Sequence, residues 1–476
     1  YSKFSEKMED LSGRYWGSFV LCSTLCAVML YVARSKGSSG TTSQAQNTKF
    51  GSFQTIYLFV FLLAMFSDWL QGPYVYELYV SYGFSQAEIA ELFVCGFASS
   101  MIVGTFVGGL ADKMGRKMMC IMYCVCYIIA CCTKLVPDYW TLMLGRFLSG
   151  VSTSLLFSVF ESWMVCEHFK QGFDASLLND TFAYATFGNG LVAVIAGLIA
   201  NSAAESYGFV APFVVAIVPL SVVAITVATS WQENYGNQQL NLLSSLSKGF
   251  DLVRNDSRIA ALGFGQSCFE GAMYTFVFMW TPALKSVAET EAEAAGTAAV
   301  GETTSSFLGL IFAVFMVCVM IGSSCFKLFS TRRDTLFKIP LFMHATAFLS
   351  MAMVTFFLDN KLIVYASFLL FETTVGVFYP SYGVIKSEKI PEDIRSAVMN
   401  IFRIPLNAFV VLLLLKIKFL SSRVVFGICT VTHGLAFLCY LYFYSSTRTA
   451  DKVVAENKDK DKEEQEGLLV SKDSTV

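Results

Sequence analysis

The chain has 476 residues, of which 55% are hydrophobic and 15% are charged, and its formal net charge at pH 7 is -2. So few charged residues cannot cover a soluble protein of this size. The basic residues are dispersed over loops and form no patch, which excludes nucleic acid as a partner. The composition therefore predicts an all-α polytopic membrane protein, for which the lipid bilayer is the solvent.

Thirteen apolar runs are each long enough to cross ~30 Å of hydrocarbon as a helix of about 20 residues. They lie at residues 15–33, 53–80, 88–110, 117–135, 140–164, 181–201, 209–231, 258–284, 305–328, 335–357, 361–385, 396–418 and 424–446. Irregular backbone cannot face lipid, so we expect every run to be a helix. Most of the fourteen cysteines lie inside these runs, where a thiol acts as a small apolar side chain.

The runs divide into one N-terminal helix and two halves of six helices. The predicted segments are an anchor helix with a polar linker (1–50), a first half (51–231), a cytosolic linker (232–257), a second half (258–446) and a disordered charged tail (447–476). The linker before the first half is rich in glycine and serine, so the anchor helix is expected to be loosely attached. The leucines of the second linker predict a short amphipathic helix on the cytosolic surface.

The sequence GGLADKMGRK, at residues 108–117, is a short basic turn between two membrane-spanning runs. It resembles the signature loop of the major facilitator superfamily, which places it in the cytosol between helices 2 and 3 of twelve core helices. Its glycines are expected to let two helices approach closely, and its charges to gate the cytosolic side. The candidate gating residues are Gly108, Gly109, Asp112, Arg116 and Lys117.

Lysine and arginine counts support this orientation, because the other loops on the same side are basic and the outer loop at 286–304 is acidic, with Glu302 among its carboxylates. Lys416, Lys418 and Arg423 are exceptions on the outer side.

Core helices 1, 4, 7 and 10 each carry an acidic residue within the membrane, and these helices line the cavity of a major facilitator. The acids are Asp68, Glu161, Glu270 and Glu372. A charge at a helix centre costs about 2.5–3.5 kcal/mol on insertion scales, so such residues are candidates for function. The alternative is that each acid pairs with a base and only holds helices together.

The other candidate residues of the substrate pathway are Gln71 and Tyr74 on helix 1, Lys134 on helix 3, Arg146 on helix 4, Tyr379 on helix 10, and Arg403 and Asn407 on helix 11. Arg403 lies deepest and precedes Asn407 by one helical turn, so the two side chains can together donate hydrogen bonds to a tetrahedral oxyanion. A salt bridge from Arg403 to Glu372 or Glu270 is the structural alternative. Pro73, Pro282 and Pro380 each permit a bend.

Four stretches resemble the molybdate-anion transporter family of the major facilitator superfamily. They are SDWLQGPYVYELY at 67–79, TKLVPDYWTLMLGRFLSG at 133–150, STSLLFSVFESWMVCEH at 152–168 and VMNIFRIPLN at 398–407. The resemblance implies high-affinity molybdate uptake by twelve core helices with one helix before them.

We therefore hypothesise that molybdate binds near Arg403, Asn407 and Gln71, and that Arg146 and Lys134 attract it. Protonation of the intramembrane acids would remove their repulsion of a dianion, which makes proton-coupled symport the expectation. The plasma membrane is the expected location. The alternatives are a facilitator for sugars or organic solutes, and a transporter-like sensor or scaffold.

The C-terminal tail carries two short patterns that would recruit partner proteins to a sensor or scaffold. Glu464 precedes Leu468 and Leu469 as in a sorting signal for adaptors, and Ser474–Val476 ends the chain like a PDZ ligand. The sequence contains no pairing of nucleophile and base, no phosphate-binding glycine loop and no cluster of metal ligands, so neither an enzyme nor a cofactor is expected.

Overall fold

The computed structural model of the chain describes residues 2–35, 44–236, 242–294, 305, 307–330 and 333–473. The α-helices are α1 (Ser2–Ser35), α2 (Gln44–Trp69), α3 (Val75–Ser81), α4 (Gln86–Met114), α5 (Arg116–Thr133), α6 (Tyr139–Leu156), α7 (Val159–Lys170), α8 (Ala175–Tyr207), α9 (Ala211–Ser230), α10 (Leu242–Asn255), α11 (Ser257–Ala294), α12 (Leu308–Phe329), α13 (Arg333–Phe356), α14 (Lys361–Lys389), α15 (Glu392–Lys416) and α16 (Ser422–Asp473). Short 3-10 turns are present at Gly72–Tyr74 and Ile417–Phe419. Residues 36–43 of the polar linker, Glu302 of the acidic loop and the PDZ-like end Ser474–Val476 lie outside the described residues.

Within the described part of the chain, twelve helical segments are long and apolar enough to cross a membrane, and one of them is Gly13–Val32 of α1. The long helix α11 is not among them, because polar residues such as Gln266 and Glu270 lower its hydropathy. It nevertheless packs against α15 and α16. With α11, these segments correspond to the thirteen predicted runs.

The two halves pack internally and meet along two helix pairs. In the first half α4 contacts α6, α5 contacts α6 and α9, and α2 contacts α8. In the second half α11 contacts α16, and α12 and α13 both contact α14. Between the halves, α8 packs on α12 and α4 packs on α15. The α8–α12 contact is tight, since a Cβ atom on Gly309 would lie 2.4 Å from the carbonyl oxygen of Gly197.

The N-terminal helix α1 is fixed to the second half, whereas the sequence predicts loose attachment. It packs against α12. The Ser18 and Tyr365 hydroxyls lie 2.9 Å apart, and the Tyr15 and Tyr365 rings meet edge to face at 5.4 Å. The opposite face exposes apolar side chains such as Leu21, as a lipid-facing helix does. Aromatic packing therefore holds the anchor despite its glycine-rich linker.

Two membrane-spanning segments of the first half, which the sequence predicts as single helices, are interrupted. The first breaks where Pro73 lacks an N–H donor, and a 3-10 turn separates α2 from α3. The second breaks at Phe157–Ser158, between α6 and α7. Helices α11 and α14 continue through Pro282 and Pro380.

Close approach of α4 and α6 depends on two glycines outside the signature loop. A Cβ atom on Gly150 would lie 2.3 Å from the carbonyl oxygen of Gly96 and 1.9 Å from the Ser99 hydroxyl. A Cβ atom on Gly108, in contrast, would meet nothing within 4 Å. The predicted packing role of Gly108 is therefore wrong, because the helix pair is closest about three turns earlier on α4.

A similar glycine contact joins α12 to α14 and gives a stability prediction. A Cβ atom on Gly376 would lie 2.0 Å from the carbonyl oxygen of Val319, and helix backbone cannot move aside. We expect Gly376→Ala to lower the free energy of unfolding by about 1–3 kcal/mol, as overpacking does. Gly383→Ala on the same helix is the control, since a Cβ atom there meets nothing within 4 Å. Thermal unfolding of the purified variants measures both, and an unchanged midpoint for Gly376→Ala would contradict the packing.

The amphipathic helix predicted in the second linker is α10, and it packs against α15. Gly249 of α10 allows this approach, because a Cβ atom there would lie 3.2 Å from the Ile401 side chain. Between α10 and α11, Arg258 forms a 2.8 Å ion pair with Asp256. This hydrogen-bonded guanidinium lowers the pKa of the Asp256 carboxyl.

The last helix, α16, continues to Asp473 and so covers most of the segment for which the sequence predicts disorder. The residues between 450 and 466 are mainly Ala, Lys and Glu, which have high helix propensity and need no core to continue an existing helix. These residues can therefore extend the membrane-spanning helix beyond its apolar part.

Candidate functional site

The predicted site residues lie along the central helices α2, α6, α7, α11, α14 and α15. In the described part of the chain, no ion pair within 4.0 Å involves any of the four intramembrane acids or Lys134, Arg146 and Arg403. The alternative that each acid closes a salt bridge with a base is therefore not realised in this conformation. The ionisable groups instead form two looser clusters, one in each half.

The first cluster surrounds Asp68 near the end of α2. Its carboxylate accepts a short hydrogen bond from the Tyr127 hydroxyl and interacts electrostatically with Arg146. Lys134 is 1% exposed, and its Nζ donates to the Tyr79 hydroxyl at 2.7 Å. This cluster is built from α2, α3, α5 and α6, so it belongs wholly to the first half.

Arg146 is placed by an aromatic ring and by a glycine. Its guanidinium lies 4.7 Å from the centre of the Phe93 ring, and its Nε donates to the carbonyl oxygen of Leu92 at 3.3 Å. A Cβ atom on Gly96 would lie 2.7 Å from an Nη atom of Arg146, so only glycine leaves room for this side chain.

The second cluster surrounds Glu270 on α11. The Gln266 amide donates to the Glu270 carboxylate at 3.3 Å, and Lys386 Nζ donates to the Gln266 side-chain oxygen at 3.2 Å. Lys386 and Arg403 both interact electrostatically with Glu270. The cluster thus has two cations and one carboxylate, which favours an anion. Lys386 was missed by the sequence analysis, which counted it as a loop lysine.

Arg403 is exposed and extends from α15 to the other half. Its Nη1 and the Ser154 hydroxyl lie 3.8 and 3.3 Å from the point that a Cβ atom on Gly104 would occupy. The Ser100 and Ser154 hydroxyls are 3.0 Å apart. Arg403 of α15 therefore approaches Gly104 of α4, and the Ser154 hydroxyl of the first half lies near the same position.

Asn407 lies one turn after Arg403 as predicted, but its amide is partly used. Its Nδ2 donates to the backbone carbonyl oxygen of Arg403 at 2.7 Å. Asn407 therefore has fewer donors for a ligand than its sequence position indicates.

The remaining predicted residues occupy different environments. Glu161 is exposed on α7, whereas Glu372 is buried on α14 and interacts electrostatically with Cys318 of α12. Tyr379 is 50% exposed, and its hydroxyl donates to the Met273 sulfur at 3.6 Å. Gln71 is buried, and its amide donates to the Ser67 carbonyl oxygen at 3.2 Å.

The two halves are joined at the end of the bundle opposite the signature loop, which we call the outer side. Lys285 of α11 forms a 2.8 Å ion pair with Glu77 of α3, and Ser305 donates to the same carboxylate at 2.9 Å. Sequence reasoning did not identify Glu77 or Lys285. Both lie at the outer ends of equivalent helices, a signal that could have suggested the pair.

Hydrogen bonds through Asn201 of α8 reinforce this closure. Its side-chain oxygen accepts from the Tyr74 hydroxyl at 3.1 Å and from the Leu310 backbone N–H at 3.2 Å. Tyr74 is fully buried, so in this conformation it is part of the outer closure and does not line an open pathway. Arg403 and Glu161, towards the signature loop, are exposed.

The signature loop is held by the segment that follows α9. Asp112 forms a 2.7 Å ion pair with Arg116, whose Nη1 also donates to the Ser162 carbonyl oxygen at 3.2 Å. The Glu233 carboxylate accepts from the backbone N–H groups of Lys117 and Met118 at 2.8 and 3.1 Å. These contacts of the loop are with the first half and with the beginning of the linker that follows it.

The carboxylate cap on α5 leads to a local prediction. Because Glu233→Gln removes the negative charge at the helix N-terminus, we expect a loss of about 1 kcal/mol there and roughly fivefold faster amide exchange at residues 112–120. Hydrogen exchange with mass spectrometry measures this. The control is Asp138→Asn, which alters the cap of α6, where Asp138 accepts from the Thr141 N–H at 2.8 Å. Exchange at 112–120 that is unchanged by Glu233→Gln would show that the cap is dispensable.

The arrangement combines two clusters of ionisable groups, a closed outer side and exposed charged groups towards the signature loop. No group of three or more histidine, cysteine or acidic side chains that could hold a metal ion occurs among the described residues. Such an arrangement can bind a charged solute between two halves that move relative to each other.

Comparison with known proteins identifies relatives and a fold. Residues 15–377 match a family described as sugar transporters, 12 TM. A molybdate-anion transporter of Xenopus tropicalis is 33% identical over 438 residues, which cover 89% of this chain and 93% of that protein. The Takifugu rubripes protein of the same name is 35% identical over 408 residues, covering 79% and 82%. The crystal structure of a variant of the nucleoside transporter NupG superposes with a TM-score of 0.63 at 13% identity, over 82% of this chain and 99% of that one. The last similarity concerns the fold alone.

Proposed function

Because this chain belongs to the molybdate-anion transporter family of the major facilitator superfamily, we propose that it carries molybdate across a membrane by alternating access. The observation that supports this most directly is the cluster in the second half. There Arg403 and Lys386 face a single carboxylate, Glu270. Two cations against one acid favour a small anion and disfavour a neutral solute.

Arg403 is the main ligand in this proposal. Its planar guanidinium can donate two parallel hydrogen bonds to a tetrahedral oxyanion, whereas Lys386 supplies a point charge. In this conformation the Ser154 hydroxyl of the other half, also near Gly104, donates to the Ser100 carbonyl oxygen at 2.7 Å, and it would turn to donate to an anion held by Arg403. An anion held between groups of both halves couples its binding to their relative movement.

Proton coupling follows from the charge of Glu270. In the absence of substrate the carboxylate offsets the charges of Lys386 and Arg403, but it repels an entering dianion. Protonation of Glu270 removes this repulsion and leaves both cations to the substrate. We therefore propose symport with protons, and the plasma membrane as the site of uptake. Asp68, Glu161 and Glu372 are further candidates for the coupled proton.

A carrier of organic solutes is the second candidate. The half-exposed Tyr379 and the matched family of sugar transporters favour it. Aromatic rings suit hydroxylated ligands by stacking, and they need no compensating charge. The two candidates differ in the solutes that should compete for transport.

Uptake of labelled molybdate by the purified chain in proteoliposomes tests the proposal. We expect saturable uptake that resists excess sulfate and sugar and is stimulated by an inward proton gradient. Uptake that is unaffected by a protonophore would contradict the coupling but not the transport. Absence of molybdate uptake, combined with counterflow of a sugar or an organic acid, would favour the second candidate.

A further inference from the structure

Lys134 is a buried cation whose surroundings contain too little negative charge. It is 1% exposed, and among the described residues its Nζ donates to the neutral Tyr79 hydroxyl at 2.7 Å. Its Nζ also lies 5.0 Å from the centre of the Tyr79 ring. No carboxylate among the described residues lies within 4.0 Å of this ammonium group. Burial of an ammonium group is costly unless an anion compensates it.

A second cation makes the imbalance larger. Arg146 is close enough to Lys134 for the two charges to repel each other. Its Nε donates to the Leu92 carbonyl oxygen, and among the described residues its Nη atoms form no hydrogen bond. The guanidinium fills the space that Gly96 leaves, since a Cβ atom there would lie 2.7 Å from one Nη atom. Both side chains therefore have donors to spare.

The negative groups around this pair come from α2 and α5. Asp68 is the one carboxylate that interacts electrostatically with Arg146, and it already accepts a hydrogen bond from Tyr127. Cys131 is the other titratable group facing Lys134. A neutral thiol and one shared carboxylate leave a net positive charge on the cluster, as in the second half.

We propose that Lys134, Arg146 and Tyr79 form a second binding position for the transported oxyanion, in the first half and nearer the outer side. This rests on the proposed function. Arg146 lies about 10 Å from the outer end of α6, at 1.5 Å per residue. The Arg403 position, in contrast, is placed towards the signature loop. The substrate thus occupies two sites in series, an outer one for capture and an inner one for release.

The conformation explains why the outer position is closed here. Lys134 and Tyr79 are buried beneath the outer closure, which Glu77 and Lys285 complete. Phe93, on which Arg146 lies, packs edge to face against Phe278 of the other half at 5.2 Å. Separation of the halves on the outer side would remove this contact and expose the site.

Counting bound anions tests the proposal. Equilibrium dialysis of the purified chain in nanodiscs against labelled molybdate should give two anions per chain for the wild type. Lys134→Met and Arg403→Gln should each retain one, and the double variant none. The control is Lys416→Met, which removes an exposed lysine at the outer end of α15 and should retain both anions.

The outcomes separate the two proposals. A wild type that binds one anion, lost with Arg403→Gln but not with Lys134→Met, would overturn the second site and leave the proposed function intact. A wild type that binds none would overturn both. Gel filtration and thermal unfolding check that Lys134→Met is folded. If it is not, Tyr79→Phe provides the test, because loss of one hydroxyl should weaken one of the two binding steps about tenfold.

Discussion

Replacement of Arg403 by glutamine is expected to reduce kcat/KM for molybdate uptake on the order of 100-fold. At the inner position the Arg403 guanidinium can form two parallel charge-assisted hydrogen bonds to the oxyanion, and truncation of such a partner costs about 2–5 kcal/mol. Glutamine keeps a donor of similar length but has no charge. Arg403→Lys keeps the charge and loses the fork, so we expect an intermediate loss.

The measurement is initial uptake into proteoliposomes with known amounts of reconstituted protein. Arg423→Gln is the matched control. That arginine is 52% exposed and pairs with Asp359, so its removal should leave uptake within about twofold of the wild type. An Arg403→Gln protein with wild-type affinity and rate would show that the anion binds elsewhere. A loss of yield for Arg403→Gln alone is not expected, because the side chain forms no ion pair among the described residues.

If Arg403 also contributes to the movement of the halves, Arg403→Gln should both raise KM and lower kcat. Its side chain faces Ser154 of the first half, so the contact changes when α4 and α15 separate. A kcat that stays below that of the wild type at saturating molybdate would indicate that Arg403 stabilises the moving state more than the bound ground state.

The architecture was predictable because membrane helices are specified by length and apolarity. The described residues of the thirteen runs are mainly helical, and Pro73 interrupts the first core segment where its missing donor predicts. The break at Phe157–Ser158 carries no such signal. The tight packing of Gly150 on Gly96 has no local signature either, since it depends on which helix lies opposite.

The site was predictable as a set of charged residues but not as a set of contacts. The position of Glu270 in a helix is visible in the sequence, but its neighbours are not. Lys386 lies in the last turn of α14, where the positive-inside rule explains a lysine equally well. Its long side chain reaches Gln266 on another helix. A pairing across elements requires the tertiary structure.

The same limit applies most strongly to the outer ion pair, which gives the second large prediction. Glu77 and Lys285 are 208 positions apart and belong to different halves. Their side chains are 5% and 18% exposed. Removal of one member of a buried pair costs about 3–5 kcal/mol, because the remaining charge stays buried without a partner. This cost falls on the conformation in which the outer side is closed.

We therefore expect Glu77→Gln to shift the protein towards an outward-open conformation. A difference of even 3 kcal/mol changes the ratio of two conformations by about 150-fold. Molybdate binding should persist while net uptake falls at least tenfold, because the outer side no longer closes behind the substrate. The double variant Glu77→Lys/Lys285→Glu, in which the two charges are swapped, should recover part of the uptake.

Hydrogen exchange resolves the direction of the shift. Glu77→Gln should speed exchange at the outer segments 72–82 and 307–312, and it should slow exchange near the signature loop, where an outward-open protein is closed. Asp359→Asn is the control, since it breaks an ion pair on the same side whose members are 52% and 79% exposed. Such a surface pair contributes little to stability, so neither exchange nor uptake should change. If Glu77→Gln behaved like Asp359→Asn, the outer closure would depend on the glycine contact between α8 and α12 and not on this charge pair.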